Sequence, residues 1–174
     1  MTSPSPDSSA GTAPPSPAAA SVFPAFAASD APPVFERRLR VRFSQCDPAG
    51  IVFYPQYLVM LHNLVEEWFY DGLGIDYGQL LGPRRIGMPL VRLECEFRAV
   101  SRMGDAVTLG LAVERAGHSS LVLALQCRGD DGLRMRARQL LVATDLTTHR
   151  ARALPDDLRA ALARLPRGDR PPAQ

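Results

Sequence analysis

The chain has 174 residues, 46% of them hydrophobic, and a formal net charge of +2 at pH 7. This length allows one well-packed core but is short for two domains. The small charge argues against a nucleic-acid surface, and no apolar stretch approaches the roughly 20 residues that cross a membrane. Three cysteines without metal-ligand spacing indicate reduced thiols. We therefore expect a soluble, cytoplasmic protein that binds neither nucleic acid nor membrane.

The N-terminal stretch, residues 1–33, consists mostly of Ser, Ala, Pro, Thr and Gly and contains half of the sixteen prolines. This composition offers no periodic apolar face to bury, so we predict a disordered tail. The tail lacks the basic and apolar segments of a signal peptide. A single domain is predicted for residues 34–146. A C-terminal extension, residues 147–174, follows with a short helix at Pro155–Leu165 and a polar tail.

Five later segments alternate apolar and polar residues with the period of two that is typical of half-buried antiparallel strands. They are Phe35–Phe43, Pro89–Ala99, Val107–Arg115, Ser119–Arg128 and Leu133–Asp145. The apolar residues of the first two are expected to face the core, and they are Leu39, Val41, Phe43, Val91, Leu93, Cys95 and Phe97. The opposite face of the sheet is rich in Arg and Glu and is expected to meet solvent or another subunit.

One segment between the first two strands breaks this alternation. From Tyr57 its apolar residues recur every three or four positions, which predicts a helix of about four turns that ends near Gly72. Pro55 suits the first turn of that helix, because a backbone N–H would have no acceptor there. The sequence therefore predicts an α+β fold in which a long helix, inserted after the first of five antiparallel strands, lies across the sheet.

The junction between the first strand and this helix reads CDPAGIVFYPQY, residues 46–57. The first turn of a helix has unpaired backbone N–H groups and about half a positive charge, so it favours an oxyanion. Asp47 brings a carboxylate close to that end, and Gly50 allows a backbone shape that other residues avoid. There is no GxSxG motif, and the three histidines lie in unrelated contexts. A carboxylate without a histidine must attack an acyl carbon or deprotonate water, which favours a thioester substrate.

This segment resembles the signature loop of hotdog-fold thioesterases of the 4-hydroxybenzoyl-CoA thioesterase type, and the order of the predicted elements is similar to theirs. The resemblance covers roughly residues 35–146. It implies a five-stranded antiparallel sheet wrapped around one long central helix, and hydrolysis of an acyl-CoA such as 4-hydroxybenzoyl-CoA. It also implies that Asp47 is the catalytic carboxylate, as nucleophile or general base, and that the backbone N–H of Tyr54 polarises the thioester carbonyl.

The same resemblance implies a homodimer or homotetramer with active sites at subunit interfaces, and no metal. Coenzyme A is then part of the substrate, so we expect no cofactor. The candidate substrate-binding residues are Gly50, Pro55, Ser119 and Ser120. The two serines are either turn formers or contacts for the pantetheine arm or a catalytic water.

Two positions depart from the family pattern. Gln45 stands where the 4-hydroxybenzoyl branch has an acidic residue, and the turn Ala116–Ser120 lacks that branch's basic cluster for the CoA phosphates. Either other arginines bind the phosphates, or phosphate binding is weaker; the candidate arginines are Arg84, Arg85, Arg98 and Arg102. The sequence therefore leaves the acyl group open.

Alternative interpretations of these residues remain. Asp47 before Pro48 is also the pattern of an ordinary Asx turn. Another hotdog branch carries a catalytic glutamate on the central helix, where Glu66 and Glu67 stand, although a solvated helix face explains them equally well. For the whole chain, the alternatives are a hotdog enoyl-CoA hydratase or dehydratase, and a noncatalytic acyl-CoA-binding protein.

Overall fold

The computed structural model of the chain describes residues 32–165. Residues 1–31 of the predicted N-terminal tail lie outside the described residues, and so does the polar tail after Leu165. The helices are α1 (Tyr54–Glu67), α2 (Tyr77–Leu81) and α3 (Asp156–Arg164). The strands are β1 (Phe35–Arg40), β2 (Ile86–Gly87), β3 (Leu90–Phe97), β4 (Ala106–Ala116), β5 (Ser120–Gly129), β6 (Gly132–Val142) and β7 (Thr144–Asp145).

Five strands form one sheet in the order β1-β4-β5-β6-β3. All four neighbouring pairs are antiparallel. The remaining strands, β2 and β7, pair with each other in a small separate sheet. The predicted α+β architecture, with one five-stranded antiparallel sheet around a long helix, is confirmed.

The long helix α1 begins at Tyr54 and continues after Glu67 as a π-helical turn, Trp68–Gly72, so the predicted end near Gly72 is also confirmed. Its buried residues are Tyr57, Met60, Leu61, Leu64 and Val65. They share one core with fully buried leucines of β4 and β5, namely Leu109, Leu111, Leu121 and Leu123. Burial of each such leucine stabilises the fold by about 1.5–3 kcal/mol. This contact therefore holds the helix, and with it the helix N-terminus, in place against the sheet.

The predicted extent of the first strand is wrong. β1 ends at Arg40, opposite Ala106, the first residue of its partner β4. Val41 still pairs with the turn before β4, where its N–H donates to the Asp105 carbonyl and its carbonyl accepts the Gly104 N–H, each at 2.9 Å. The chain then turns into a short 3-10 segment that starts at Phe43. Phe43 is 81% exposed instead of facing the core.

The predicted core face of β3 is only partly correct. Leu93 and Cys95, in the middle of the strand, pack against the core as predicted. Val91 and Phe97 are instead 56% and 48% exposed. Val91 lies in a bulge, where the register with β6 shifts between Leu90 and Arg92. β3 is an edge strand, and Phe97 at its end lies beside the Tyr54 and Tyr57 rings at the start of α1, which leave it half exposed.

The outer face of the sheet carries ion pairs, one between the neighbouring strands β6 and β3, one from β6 across β5 to β4, and one at the end of β3. Arg136 contacts Glu96 at 2.6 Å, and Arg138 contacts Glu114 at 2.6 Å. Arg98 contacts Glu96 at the same distance. The predicted charged face is therefore largely paired within the chain itself.

The segment after β7 packs against the same core as the sheet. α3 forms within the predicted helix Pro155–Leu165, and Leu154, Leu158 and Ala161 are buried in the main cluster. Arg84, which follows α2, binds Asp157 through two hydrogen bonds of 2.7 and 2.9 Å. Within residues 32–165, no helix has the length and apolarity needed to span a membrane.

Candidate active site

The loop before α1 is a short hairpin closed by backbone hydrogen bonds. The Phe53 N–H donates to the Gln45 carbonyl at 3.0 Å, and the Asp47 N–H donates to the Ile51 carbonyl at 2.9 Å. Gly50 lies at the tip with a φ of +75°, a conformation that glycine adopts without strain. The conformational role expected for Gly50 is thus present, and the hairpin brings Asp47 back beside the start of the helix.

Asp47 forms an Asx turn, the structural role that the sequence allowed beside a catalytic one. Its Oδ1 accepts a hydrogen bond from the Ala49 N–H at 2.9 Å, and its side chain is half-buried. Within residues 32–165, no hydrogen bond occupies Oδ2. One carboxylate oxygen is therefore held by the turn while the other is available, so the structural role and a chemical role are compatible.

Tyr54 is the first residue of α1, and Pro55 is the second. No carbonyl within the helix can accept the Tyr54 N–H, and the residue before the helix, Phe53, provides no side-chain cap. The positive end of the helix dipole adds to this donor. Asp47 pairs with Ile51, and Tyr54 follows Ile51 by three residues. The backbones of Asp47 and Tyr54 are therefore separated by on the order of 10 Å. An aspartate side chain and a carbonyl group can together span that separation.

Exposed aromatic rings surround the start of the helix. The Tyr54 ring lies 5.4 Å from the Phe53 ring and 6.3 Å from the Phe97 ring, both edge to face. Tyr54 is 59% exposed. Two further exposed apolar residues, Val100 and Met103, follow β3 in the chain. We call Phe53, Tyr54 and Phe97 the aromatic rim; sequence patterns missed it, because strand alternation assigned Phe97 to the core.

Two hydrogen bonds to Ser101 connect the hairpin and α1 to the segment between β3 and β4. The Val52 N–H donates to the Ser101 carbonyl at 2.9 Å, and the Tyr57 hydroxyl donates to Ser101 Oγ at 2.8 Å. Ser101 is fully buried, and burial raises the pKa of Tyr57 above its ordinary value. Sequence reasoning missed Ser101, because a single serine between two strands has no local pattern that marks it.

Ser119 and Ser120 lie far from Asp47 within one chain. The hairpin follows β1, whose last residue pairs with Ala106 at the start of β4, whereas the serines follow the end of β4. The 11 residues of β4 separate these two ends by about 33 Å. The Ser120 carbonyl accepts the Gly117 N–H at 2.8 Å and closes the turn between β4 and β5. The Ser119 carbonyl accepts the N–H of Ala143, which follows β6, at 2.8 Å and joins the turn to that strand end.

Most of the arginines proposed for phosphate binding already have partners. Arg84 binds Asp157, and Arg98 contacts Glu96 at 2.6 Å. Arg85 donates to the Leu146 carbonyl at 3.3 Å. Arg102 is the exception among the four, since no residue of the described part of the chain binds its guanidinium group.

The other acidic candidates, Glu66 and Glu67, are twelve and thirteen residues along the helix from Tyr54, which is roughly 18 Å. Glu67 binds Arg37 at 2.9 Å. No group of three or more His, Cys, Asp or Glu side chains within residues 32–165 could hold a metal ion. Among the acidic candidates, only Asp47 therefore lies beside the helix N-terminus of its own chain.

Comparisons with known proteins show the family of this chain. Residues 41–162 match the family described as the thioesterase-like superfamily. A 1,4-dihydroxy-2-naphthoyl-CoA hydrolase from Synechococcus sp. (strain CC9605) is 32% identical over 129 residues, which cover 71% of this chain and 86% of that protein.

Solved structures share the fold. A 1,4-dihydroxy-2-naphthoyl-CoA thioesterase from Synechocystis has a TM-score of 0.70 at 22% identity and covers 75% of this chain and 96% of that one. A gentisyl-coenzyme A thioesterase has a TM-score of 0.65 at 25% identity, with 72% and 98% coverage. The hotdog thioesterase resemblance is thus confirmed, while its 4-hydroxybenzoyl-CoA type stays a prediction. The chain belongs to the thioesterase-like superfamily and is a thioester hydrolase.

Proposed function

We propose that this chain hydrolyses the CoA thioester of an aromatic acid, with Asp47 and the Tyr54 backbone N–H as its catalytic groups. The observation that carries the proposal is the Asp47 carboxylate, which has one oxygen held by the Ala49 N–H and lies beside the uncapped start of α1. A fixed carboxylate and an oxyanion donor are the two groups that acyl transfer to water requires. Coenzyme A belongs to the substrate, and no separate cofactor takes part.

In this mechanism the thioester carbonyl accepts the Tyr54 N–H. As a general base, Asp47 Oδ2 takes a proton from water while the water oxygen bonds to the acyl carbon. The oxyanion that forms is stabilised by the N–H and the helix dipole. The C–S bond then breaks, and the leaving thiolate takes back the proton that Asp47 holds, which restores the carboxylate. As a nucleophile, Asp47 instead forms an acyl anhydride with loss of the thiolate, and water cleaves that anhydride.

The aromatic rim supports an aromatic acyl group. Exposed rings beside a catalytic centre favour a flat, apolar ligand, because aromatic pairs gain about 0.5–1.5 kcal/mol beyond the area they bury. The 32% identical relative is named for a dihydroxynaphthoyl thioester, and the gentisyl-CoA thioesterase is named for a dihydroxybenzoyl one. Gly50 and Pro55 shape the entrance to this site through the hairpin tip and the first helical turn.

Association of two or more copies is part of the proposal. β3 is an edge strand with exposed apolar residues, including Val91 and Phe97, which supports a partner there. Ser119 and Ser120 lie about 33 Å from the hairpin of their own chain. They can therefore contact substrate at an Asp47 site only if that site belongs to another subunit of a homodimer or homotetramer.

The decisive experiment compares the native protein with Asp47→Asn. Thiol release is followed with benzoyl-CoA, 4-hydroxybenzoyl-CoA, 1,4-dihydroxy-2-naphthoyl-CoA and hexanoyl-CoA. We expect the aromatic thioesters to react faster than hexanoyl-CoA, and Asp47→Asn to lower the rate by about 10² to 10⁴, as the loss of an essential acid or base does. Sedimentation equilibrium on the same samples reports whether subunits associate and whether the variant preserves that assembly.

The matched control is Asp76→Asn. Asp76 also accepts a backbone N–H through its side chain, from Gln79 at 2.9 Å, but it caps α2. We expect this control to keep its activity. Full activity of Asp47→Asn, with deamidation excluded by mass spectrometry, would refute the catalytic role. Hydration of crotonyl-CoA without thiol release would instead support the hydratase alternative, and tight binding of every thioester without turnover would support the noncatalytic one.

A further inference from the structure

The two catalytic groups of the proposed site belong to different structural units. Asp47 is on the hairpin, whereas the Tyr54 N–H belongs to the first turn of α1. Phe53 connects the two units along the chain, since its N–H donates to the Gln45 carbonyl of the hairpin at 3.0 Å and its carbonyl accepts the Gln56 N–H of the first helical turn at 2.8 Å. A third segment, the connection between β3 and β4, contacts both of them.

Ser101 is the residue of that connection at which the contacts meet. Its backbone carbonyl accepts the Val52 N–H at 2.9 Å, which ties it to the hairpin. Its Oγ accepts the Tyr57 hydroxyl at 2.8 Å, which ties it to the helix one turn after Tyr54. Ile51 and Arg102 form an adjacent antiparallel bridge. One serine therefore joins the unit that holds the carboxylate to the unit that holds the oxyanion donor.

Both side chains of this hydrogen bond are buried. Ser101 is fully buried and Tyr57 is 4% exposed. The Tyr57 hydroxyl donates to Ser101 Oγ. Moving the two side chains apart would leave the buried Tyr57 donor without an acceptor and without access to water, which costs free energy. The helix can therefore shift relative to Ser101 only if this bond breaks.

The connection that carries Ser101 is itself held in place. The Arg102 N–H donates to Asp105 Oδ2 at 2.8 Å, and the Val41 N–H donates to the Asp105 carbonyl at 2.9 Å. These bonds fasten the connection to the end of β1, from which the hairpin emerges. Ser101 thus has a fixed position from which to align the hairpin and the helix.

We propose that Ser101 and Tyr57 are positioning residues, which set the distance between the Asp47 carboxylate and the Tyr54 N–H through their buried hydrogen bond. This inference rests on the proposed function of Asp47. Neither hydroxyl takes part in the chemistry. Their effect falls on the chemical step, because a displacement of about 1 Å at the reacting centre can cost up to about 10² in rate.

The test is Tyr57→Phe, which removes the hydroxyl and retains the ring that lies 6.0 Å from Phe97. We expect kcat for the best thioester of the panel to fall about tenfold with KM nearly unchanged. Ser101→Ala should reproduce this loss, and Ser101→Thr, which keeps a hydroxyl, should retain more of the rate. The matched control is Tyr70→Phe, which removes a hydroxyl that accepts the Gly78 N–H at 3.0 Å beyond the other end of α1.

The same substitution in an Asp47→Asn background separates positioning from a general loss of structure. If Tyr57 acts by aligning the carboxylate, Tyr57→Phe should cause little further loss once the carboxylate is absent. An equal loss of kcat in both backgrounds would overturn the inference, as would a rise in KM at constant kcat. If Tyr57→Phe does not fold, the Ser101→Ala and Ser101→Thr pair decides by the same criteria.

The outcomes also distinguish this inference from the proposed function. Full activity of Asp47→Asn would overturn both. A large loss in Asp47→Asn together with native kcat in Tyr57→Phe and Ser101→Ala would overturn the positioning role alone.

Discussion

The two ends of α1 are built in opposite ways. At the N-terminal end, Phe53 and Tyr54 are exposed, and no side chain caps the helix. At the C-terminal end, Trp68 and Phe69 are fully buried, and Arg37 of β1 binds both Glu67 and Asp71. The C-terminal end is thus covered by buried rings, while the first turn leaves the Tyr54 N–H and two exposed rings available to a ligand.

A glycine lies at each end, and the two are required for different reasons. Gly50, in the hairpin before the helix, has a φ of +75° and open space where a Cβ would project. Gly72, in the π-helical turn, has no such backbone requirement, but a Cβ there would overlap the Trp68 ring and lie 3.0 Å from its Nε1. One glycine therefore serves backbone shape at the site, and the other serves close packing in the core.

The largest effect on stability that we expect from these two glycines is at the C-terminal end. Gly72→Ala should destabilise the fold by about 1–3 kcal/mol, because the buried indole has no room to move away from the added methyl group. Chemical denaturation measures this change. The activity of the folded variant should stay close to native, and a selective loss of kcat without loss of stability would contradict the division between the two ends.

Gly50→Ala should have a smaller effect on stability but a direct effect on the site. The left-handed backbone costs a non-glycine residue about 1–2 kcal/mol, and relief of that strain would move the Asp47 hairpin. Gly74→Ala is the matched control, since Gly74 has a φ of +68° and equally open space but lies beyond the other end of the helix. We expect similar losses of stability in the two variants, and lower kcat in Gly50→Ala only. Native kcat in both variants would show that the hairpin tip does not control catalysis.

The smallest effect on stability that we expect comes from removing the ion pair between Asp157 and Arg84, which lies in the segment after the C-terminal end of α1. The hydrogen bonds from Arg84 lower the pKa of Asp157. Because the folded pKa lies below the unfolded value of about 3.9, the ion pair stabilises the fold above that value and loses its contribution as the pH falls through the folded pKa. Asp157→Asn should therefore cost about 0.5 kcal/mol at pH 7, since both side chains are partly exposed.

Denaturation at pH 7 and pH 3 tests this expectation. The difference between native protein and Asp157→Asn should shrink at the lower pH. Asp156→Asn is the control, because Asp156 occupies the same first turn of α3 and shares its helix dipole. Equal losses in the two variants at pH 7 would mean that the dipole, and not Arg84, accounts for the effect.

Local patterns were sufficient for much of the fold. The period of two predicted all five strands of the main sheet, and the period of three to four predicted α1 and its end near Gly72. Patterns failed where strand ends depend on a partner. Phe43 continues the alternation of β1 beyond the residues that pair with β4. Phe97 continues that of β3 at the edge of the sheet, where it lies beside the rings at the start of α1 and stays 48% exposed.

The sequence by itself determined the thioesterase family and the pairing of Asp47 with a helix start, because both depend on residues within one short segment. Only the tertiary structure revealed the buried bond between Tyr57 and Ser101, which are 44 positions apart, and the aromatic rim that includes Phe97. It also separated Ser119 and Ser120 from Asp47 by the length of β4. Contacts between distant segments depend on strand order and register, and no local pattern of residues encodes either.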